Sequence, residues 1–114
     1  LKLIDEWQNM LRWAGDLPGA RNLTGHWEER DTGNPTPALR YGEVAFLQND
    51  FNEAAAQFGE AARRARLQRW NDDLAVARAQ LGRGAALLKA QRDAEAVALL
   101  RPLESLGTQG YAYH

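Results

Sequence analysis

A repeat limits what this chain can fold into more than any other feature. Gly15-x-Leu17-x-x-Ala20-x-x-x-Thr24-x-x-Trp27 is followed after 34 residues by Asn49-x-Phe51-x-x-Ala54-x-x-x-Phe58-x-x-Ala61, and Gln91-x-Asp93-x-x-Ala96-x-x-x-Leu100-x-x-Leu103 comes 42 residues after that. The extra eight residues fall across Arg66 to Asp73. Each copy opens at a turn and then places small and large apolar residues at steps of three and four, the period of one helix face. Such a unit cannot bury its hydrophobic face alone, so the copies must stack on one another.

The turns between copies divide the chain into six helical stretches. Residues 3–14 form the first, through Leu3, Ile4, Trp7, Met10, Leu11 and Ala14, and Gly15-Asp16 ends it. Asp16 caps the second, 17–31, with Pro18 in its first turn, where a missing N–H costs little. After the break at Asp31 to Pro35, Thr36 is expected to cap a helix that opens with Pro37 and runs to Gln48. The fourth, 51–70, lines up Phe51, Ala54, Ala55, Phe58, Ala61, Ala62 and Ala65, with Asp50 and Glu53 spaced as a capping box. Asn71-Asp72-Asp73 caps the fifth, whose inner face is expected to be Leu74, Ala77, Leu81, Gly84, Ala85 and Leu88, ending near Lys89. The sixth begins near Asp93 and carries Ala96, Val97, Leu100 and Leu103, with Pro102 fraying its end. Strand-like alternation bounded by hairpin turns is missing, so the chain is expected to be all-α.

Small residues belong where two helices nearly touch. Ala20, Ala54 and Ala96 are expected there on the second helix of each unit, and Gly42 and Gly84 on the first helices. Phe58 and Leu100, one turn on, fill the space against the next unit.

Composition removes several functions. The chain has 114 residues, 45% of them apolar, enough for one domain with a core. Fourteen Lys and Arg against fifteen Asp and Glu leave no global attraction to nucleic acid or an anionic membrane. No apolar run approaches the roughly 20 residues that cross a bilayer. Without cysteine there is no disulfide, thiolate nucleophile or zinc–sulfur site, and the compartment stays open. His26 has no second histidine or carboxylate pair one turn away, so neither a metal nor any other cofactor is expected. Asn22-Leu23-Thr24 matches a glycosylation sequon but lies within a helix. No nucleophile–base–acid order or phosphate-cradling glycine loop can be assembled, so catalysis is not expected. Arg63, Arg64, Arg66 and Arg69 beside Trp70 make a thin patch for RNA, better read as solvated charges near a helix C-terminus.

A period of 34 with two helices per unit, together with these turns and small residues, resembles the tetratricopeptide repeat family over residues 1–106. Ala38 to Ala45 stands at the family's Trp–Leu–Gly–Tyr signature in the second unit. Ile4 to Leu11 stands there in the first, with Gln8 where a small residue is usual. The resemblance implies an α-α superhelix of about three antiparallel helix pairs in one domain, 1–114. Its units span about 1–34, 35–72 and 73–106, and 107–114 form a tail or the start of a further helix. The chain starts without Met, as a segment cut from a longer protein would. The tail Gly110 to His114 leaves the last packed face partly apolar, which suits self-association, continuation into more repeats, or a tail that folds back as its own cap.

The family's first helices line a concave groove that holds a protein or peptide. Carried onto this sequence, the groove would present Asp5, Asn9, Arg12 and Trp13, then Arg40, Glu43, Phe46 and Leu47, then Arg78, Leu81, Ala85 and Lys89. Arginines beside apolar residues suit a segment with an acidic group and a bulky apolar anchor. The family's chaperone-tail clamp needs Lys where Asp5 stands, ahead of Asn9, so that ligand is not expected. The leading expectation is a binding adaptor or scaffold. The alternatives are self-association and a regulatory array within a transcription regulator or ATPase.

Overall fold

The computed structural model describes residues 2–68 and 73–101, and all of their regular structure is helical. The helices are α1 (Lys2–Trp13), α2 (Leu17–Arg30), α3 (Pro35–Leu47), α4 (Phe51–Leu67), α5 (Asp73–Lys89) and α6 (93–101). Among the described residues there is no strand, and no helix is long and apolar enough to cross a membrane. Asn71, Asp72, Pro102, Leu103 and the tail lie outside the described residues, so the expectations placed on them do too.

The repeat is visible first in the turns. Gly15, Asn49 and Gln91 occupy equivalent positions, and each takes the left-handed conformation, with φ of 81°, 64° and 62°. The next amide in each case reaches back to a carbonyl five residues earlier: Asp16 to Leu11 at 2.8 Å, Asp50 to Ala45 at 2.9 Å and Arg92 to Leu87 at 2.8 Å. This is the Schellman closure, which satisfies carbonyls at a helix end and reverses the chain.

Two caps differ from expectation. Asn34, not Thr36, caps α3, its side chain accepting from the Thr36 amide at 3.0 Å. Pro35 and Pro37 both fit the first turn, where amides have no helical partner, so the helix starts earlier. Asp50 makes no cap hydrogen bond, because its carboxylate accepts from Arg21 at 2.8 Å instead. Asp16 does cap α2, accepting from Gly19 at 3.0 Å.

Helix-to-helix packing repeats as well. Within a unit, a Cβ added to Gly42 would lie 3.0 Å from the Phe58 ring, and one added to Gly84 would run into Leu100. Between units, a Cβ on Gly25 would stand 3.0 Å from Tyr41, and one on Gly59 would stand 3.5 Å from Arg83. Tyr41 and Arg83 are equivalent positions. The core between them is mostly alanine: Ala38, Ala45, Ala54, Ala55, Ala61, Ala62, Ala79 and Ala86 with Phe58 and Leu87. Ala20, Ala54 and Ala96 are fully buried, as their spacing requires.

Ion pairs set the layers. Asp5 and Arg12 of α1 pair with Arg40 and Glu43 of α3, so these helices run side by side in one direction. Arg21 and Glu28 of α2 pair with Asp50 and Arg64 at the two ends of α4 in the same sense. Each helix also packs on the next in chain order, and α3 touches α5.

Two expected helix faces are turned. On α1 the buried residue is Gln8, which is 1% exposed, while Leu3, Trp7 and Met10 point outward. Gln8 donates to the Asp5 carboxylate, and Asp5 and Arg12 on either side of it are held by α3, which fixes the helix's rotation. On α5, Leu74, Leu81 and Leu88 are exposed, and Ala79, Ala86 and Leu87 are buried. The glycines and alanines of α5 permit a closer approach than its leucines would, and Phe58 reaches Gly82 through that gap.

Overpacking tests these contacts. Gly42→Ala gains about 1 kcal/mol of helix propensity. It should still lower stability by roughly 1–2 kcal/mol in urea denaturation, because the Phe58 ring cannot retreat. Combined with Phe58→Leu, the two losses should sum to less than their separate values. Ala54→Leu should cost roughly 1–3 kcal/mol; a variant that melts like the parent would show that Ala54 is not at a close helix contact.

Candidate functional site

Of the residues expected in a groove, the structure gathers two groups on the α1, α3 and α5 face. The first is a charged quartet. Arg40 Nε donates to Asp5 Oδ1 at 2.8 Å, Arg40 Nη1 to Glu43 Oε1 at 2.9 Å, and Arg12 Nη1 to Glu43 Oε2 at 2.9 Å. Arg12 Nη2 also donates to Asn9 Oδ1 at 2.7 Å. Two cations thus meet two carboxylates and their charge is spent inside the protein. Burial alone would push the Asp5 carboxyl up, but the hydrogen bonds from Arg40 and Gln8 and the charges of Arg40 and Arg12 outweigh it and hold it below its ordinary value.

The second group is apolar and adjoins the first. A hollow of about 330 Å³ opens between the helices, lined by Phe46, Leu47, Phe58, Gly82 and Ala85, with Arg12 and Glu43 at its rim. Phe46 meets Phe51 edge to face, with ring centroids 5.2 Å apart and planes at 72°, which fixes its side chain. Phe58 and Gly82 were not expected in a groove, since Phe58 reads as core. Their signal was Gly82 itself: a glycine inside a helix costs about 1 kcal/mol against alanine, so it implies a close neighbour.

The remaining expected residues lie apart from that hollow. Trp13 is 87% exposed and borders a separate depression with Asn9, Met10 and Ala14. Arg78, Leu81 and Lys89 are exposed on α5, and Arg78 makes no ion pair among the described residues. On the other layer, a broader, polar hollow of about 630 Å³ runs along Arg21, Gly25, His26, Glu29, Tyr41 and Gln57. Arg21 there is already committed to Gln48, Asp50 and the Tyr41 ring. Among the described residues no three His, Cys, Asp or Glu side chains are grouped to hold a metal ion.

The basic patch on α4 is partly internal. Arg64 is 5% exposed and donates to Glu60, Glu28 and the Asn34 carbonyl, so it joins helices. Arg63 is tied to Glu60, whose carboxyl is held down to about 2, chiefly by the hydrogen bond from Arg63. Arg66 is exposed, and Arg69 and Trp70 lie outside the described residues.

The quartet makes stability depend on acid. A carboxylate with a depressed folded pKa contributes stability above its unfolded value and loses it as pH falls through the folded value. Asp5→Asn should therefore be clearly less stable than the parent at pH 7. The gap should close as pH drops below about 4, read as denaturation midpoints across a pH series.

The chain matches no protein-family model, no curated protein and no solved structure.

Proposed function

We propose that this chain is a protein-binding module of tetratricopeptide-like architecture, a right-handed stack of helix pairs that takes a peptide or protein segment on its α1, α3 and α5 face and does no chemistry on it. The observation that carries this reading is the apolar hollow lined by Phe46, Leu47, Phe58, Gly82 and Ala85, with exposed Leu81 elsewhere on α5. Binding sites are mostly apolar concavities with a few fixed polar groups at the edge, and this one has Arg12 and Glu43 there. The recurrence of the Schellman turns and glycine contacts from unit to unit supports the stacked architecture.

The bound segment supplies a bulky apolar anchor. Arg40 and Arg12 serve as walls more than as hooks, because Asp5 and Glu43 already hold them. The cation left for an acidic group on the ligand is Arg78, with Lys89 further along α5. Both are exposed and apart from the hollow, where charge guides approach more than it adds affinity.

A peptide display library selected on the immobilised chain supplies a ligand, and the variants then decide the face. Phe46→Ala or Leu81→Ala should cost at least about 2 kcal/mol, some thirtyfold in affinity. Arg78→Ala should act mainly on the association rate. Glu95→Ala on α6, whose carboxylate pairs with the neighbouring Arg92 on the surface, should change little. Glu60 is unsuitable as a control because it anchors Arg63 and Arg64. Selected peptides that tolerate both apolar changes would remove this face from the proposal.

A further inference from the structure

The outward stripe of α1 lies at positions that are covered everywhere else in the fold. Leu3, Trp7 and Met10 are 77%, 57% and 69% exposed. Thirty-four residues later the same positions on α3 are Pro37, Tyr41 and Val44; Pro37 and Val44 are buried, and Tyr41 packs on Gly25 of α2. On α5 they are Ala79, Arg83 and Ala86; the two alanines are buried, and Arg83 packs on Gly59 of α4. In both cases the preceding second helix meets the middle position of the three.

The charges that bind one such second helix to the next are also half present. Asp50, at the start of α4, receives Arg21 from α2, and Arg64, near its end, donates to Glu28 of α2. Arg21 lies over the Tyr41 ring as well, 5.5 Å from its centre. One unit earlier, Asp16, Arg30 and Trp7 hold the places of Asp50, Arg64 and Tyr41. Asp16 caps its own helix but, like exposed Arg30, has no ion pair among the described residues.

We propose that α1 is the docking seat for a helix supplied by a partner protein, lying on α1 as α2 lies on α3. The pairing of α2 with α3 and α4 specifies that helix. It carries an Arg to pair with Asp16 and stack on Trp7, a Gly or Ala four residues on to receive the indole, and a Glu three residues further to meet Arg30. Its apolar side chains between these cover Leu3 and Met10. A second copy of this chain fits less well: α1 against α1 would set tryptophan and methionine where a small residue is needed and would leave Asp16 and Arg30 unpaired. The seat faces away from the α1, α3 and α5 hollow and stands independently of the function proposed for it.

α2 itself carries this pattern as Arg21, Gly25 and Glu28, so its sequence provides the probe. A fluorescein-labelled peptide of residues 16–34, locked as a helix by a lactam bridge on its solvent face, should bind the intact 114-residue chain with an anisotropy change. Trp7→Asp and Arg30→Glu in the chain should each weaken it at least about tenfold, while both variants keep the parent's circular dichroism, since these side chains are exposed. A peptide with Glu28→Arg should bind the parent poorly and recover on the Arg30→Glu chain. No binding by the helical peptide at about 1 mM would overturn the proposal. So would binding indifferent to Trp7 and Arg30, or sedimentation showing that the chain alone dimerises through the stripe and that Trp7→Asp dissolves the dimer.

Discussion

The fold depends on the approach of Phe58 to two glycines. Its ring lies so close to Gly42 of α3 and Gly82 of α5 that a methyl group at either would stand about 3 Å from it. One side chain on α4 therefore joins three helices across two units. The alanines around it, from Ala45 and Ala54 to Ala86, keep the backbones near enough for the ring to reach both ways. A core of this kind has few large side chains to interlock, so its specificity comes from the distance between helices. Interiors at native density tolerate little change in that distance.

The charged residues do a different task. An alanine-lined helix can rotate with little change in buried area, and the ion pairs between alternate helices remove that freedom. Asp5 to Arg40, Arg12 to Glu43, Arg21 to Asp50 and Glu28 to Arg64 are each made between helices two apart in the chain. Partly exposed pairs add modestly to stability, yet they define which face of each helix looks inward. Arg64 is the extreme case, 5% exposed and bonded to a helix, a turn and its own preceding turn of α4. Such a cation is a structural joint, and within the arginine-rich stretch of α4 it is committed to neighbouring helices while Arg66 is exposed.

The same pairing decides which charges are left open on the surface. Arg12 and Arg40 are held by Asp5 and Glu43, Arg78 makes no ion pair among the described residues, and the open face is otherwise apolar: Phe46, Leu47, Leu81 and the hollow over Phe58. At the other side, α1 buries Gln8 and turns Leu3, Trp7 and Met10 outward. Both faces are consequences of where the quartet turns α1 and α3.

The sequence by itself determined the helices, their order and the turns between them, because those depend on neighbours a few residues apart. Gly15, Asn49 and Gln91 stand at equivalent turns, and the stripe from Ala54 to Ala65 is buried as its period requires. The glycines at 42 and 84 also announced close contacts that the structure contains. What only the tertiary structure decided was rotation and pairing. Leu3, Trp7 and Met10 on α1 and Leu74, Leu81 and Leu88 on α5 have the spacing of a core face, yet they point outward. Periodicity specifies that a helix has an apolar stripe but does not say which neighbour covers it. The charge pairs are made between residues about 30 apart, and the close approach at Gly82 comes from a helix the local pattern does not contain. Which arginines are paired follows from those distant partners.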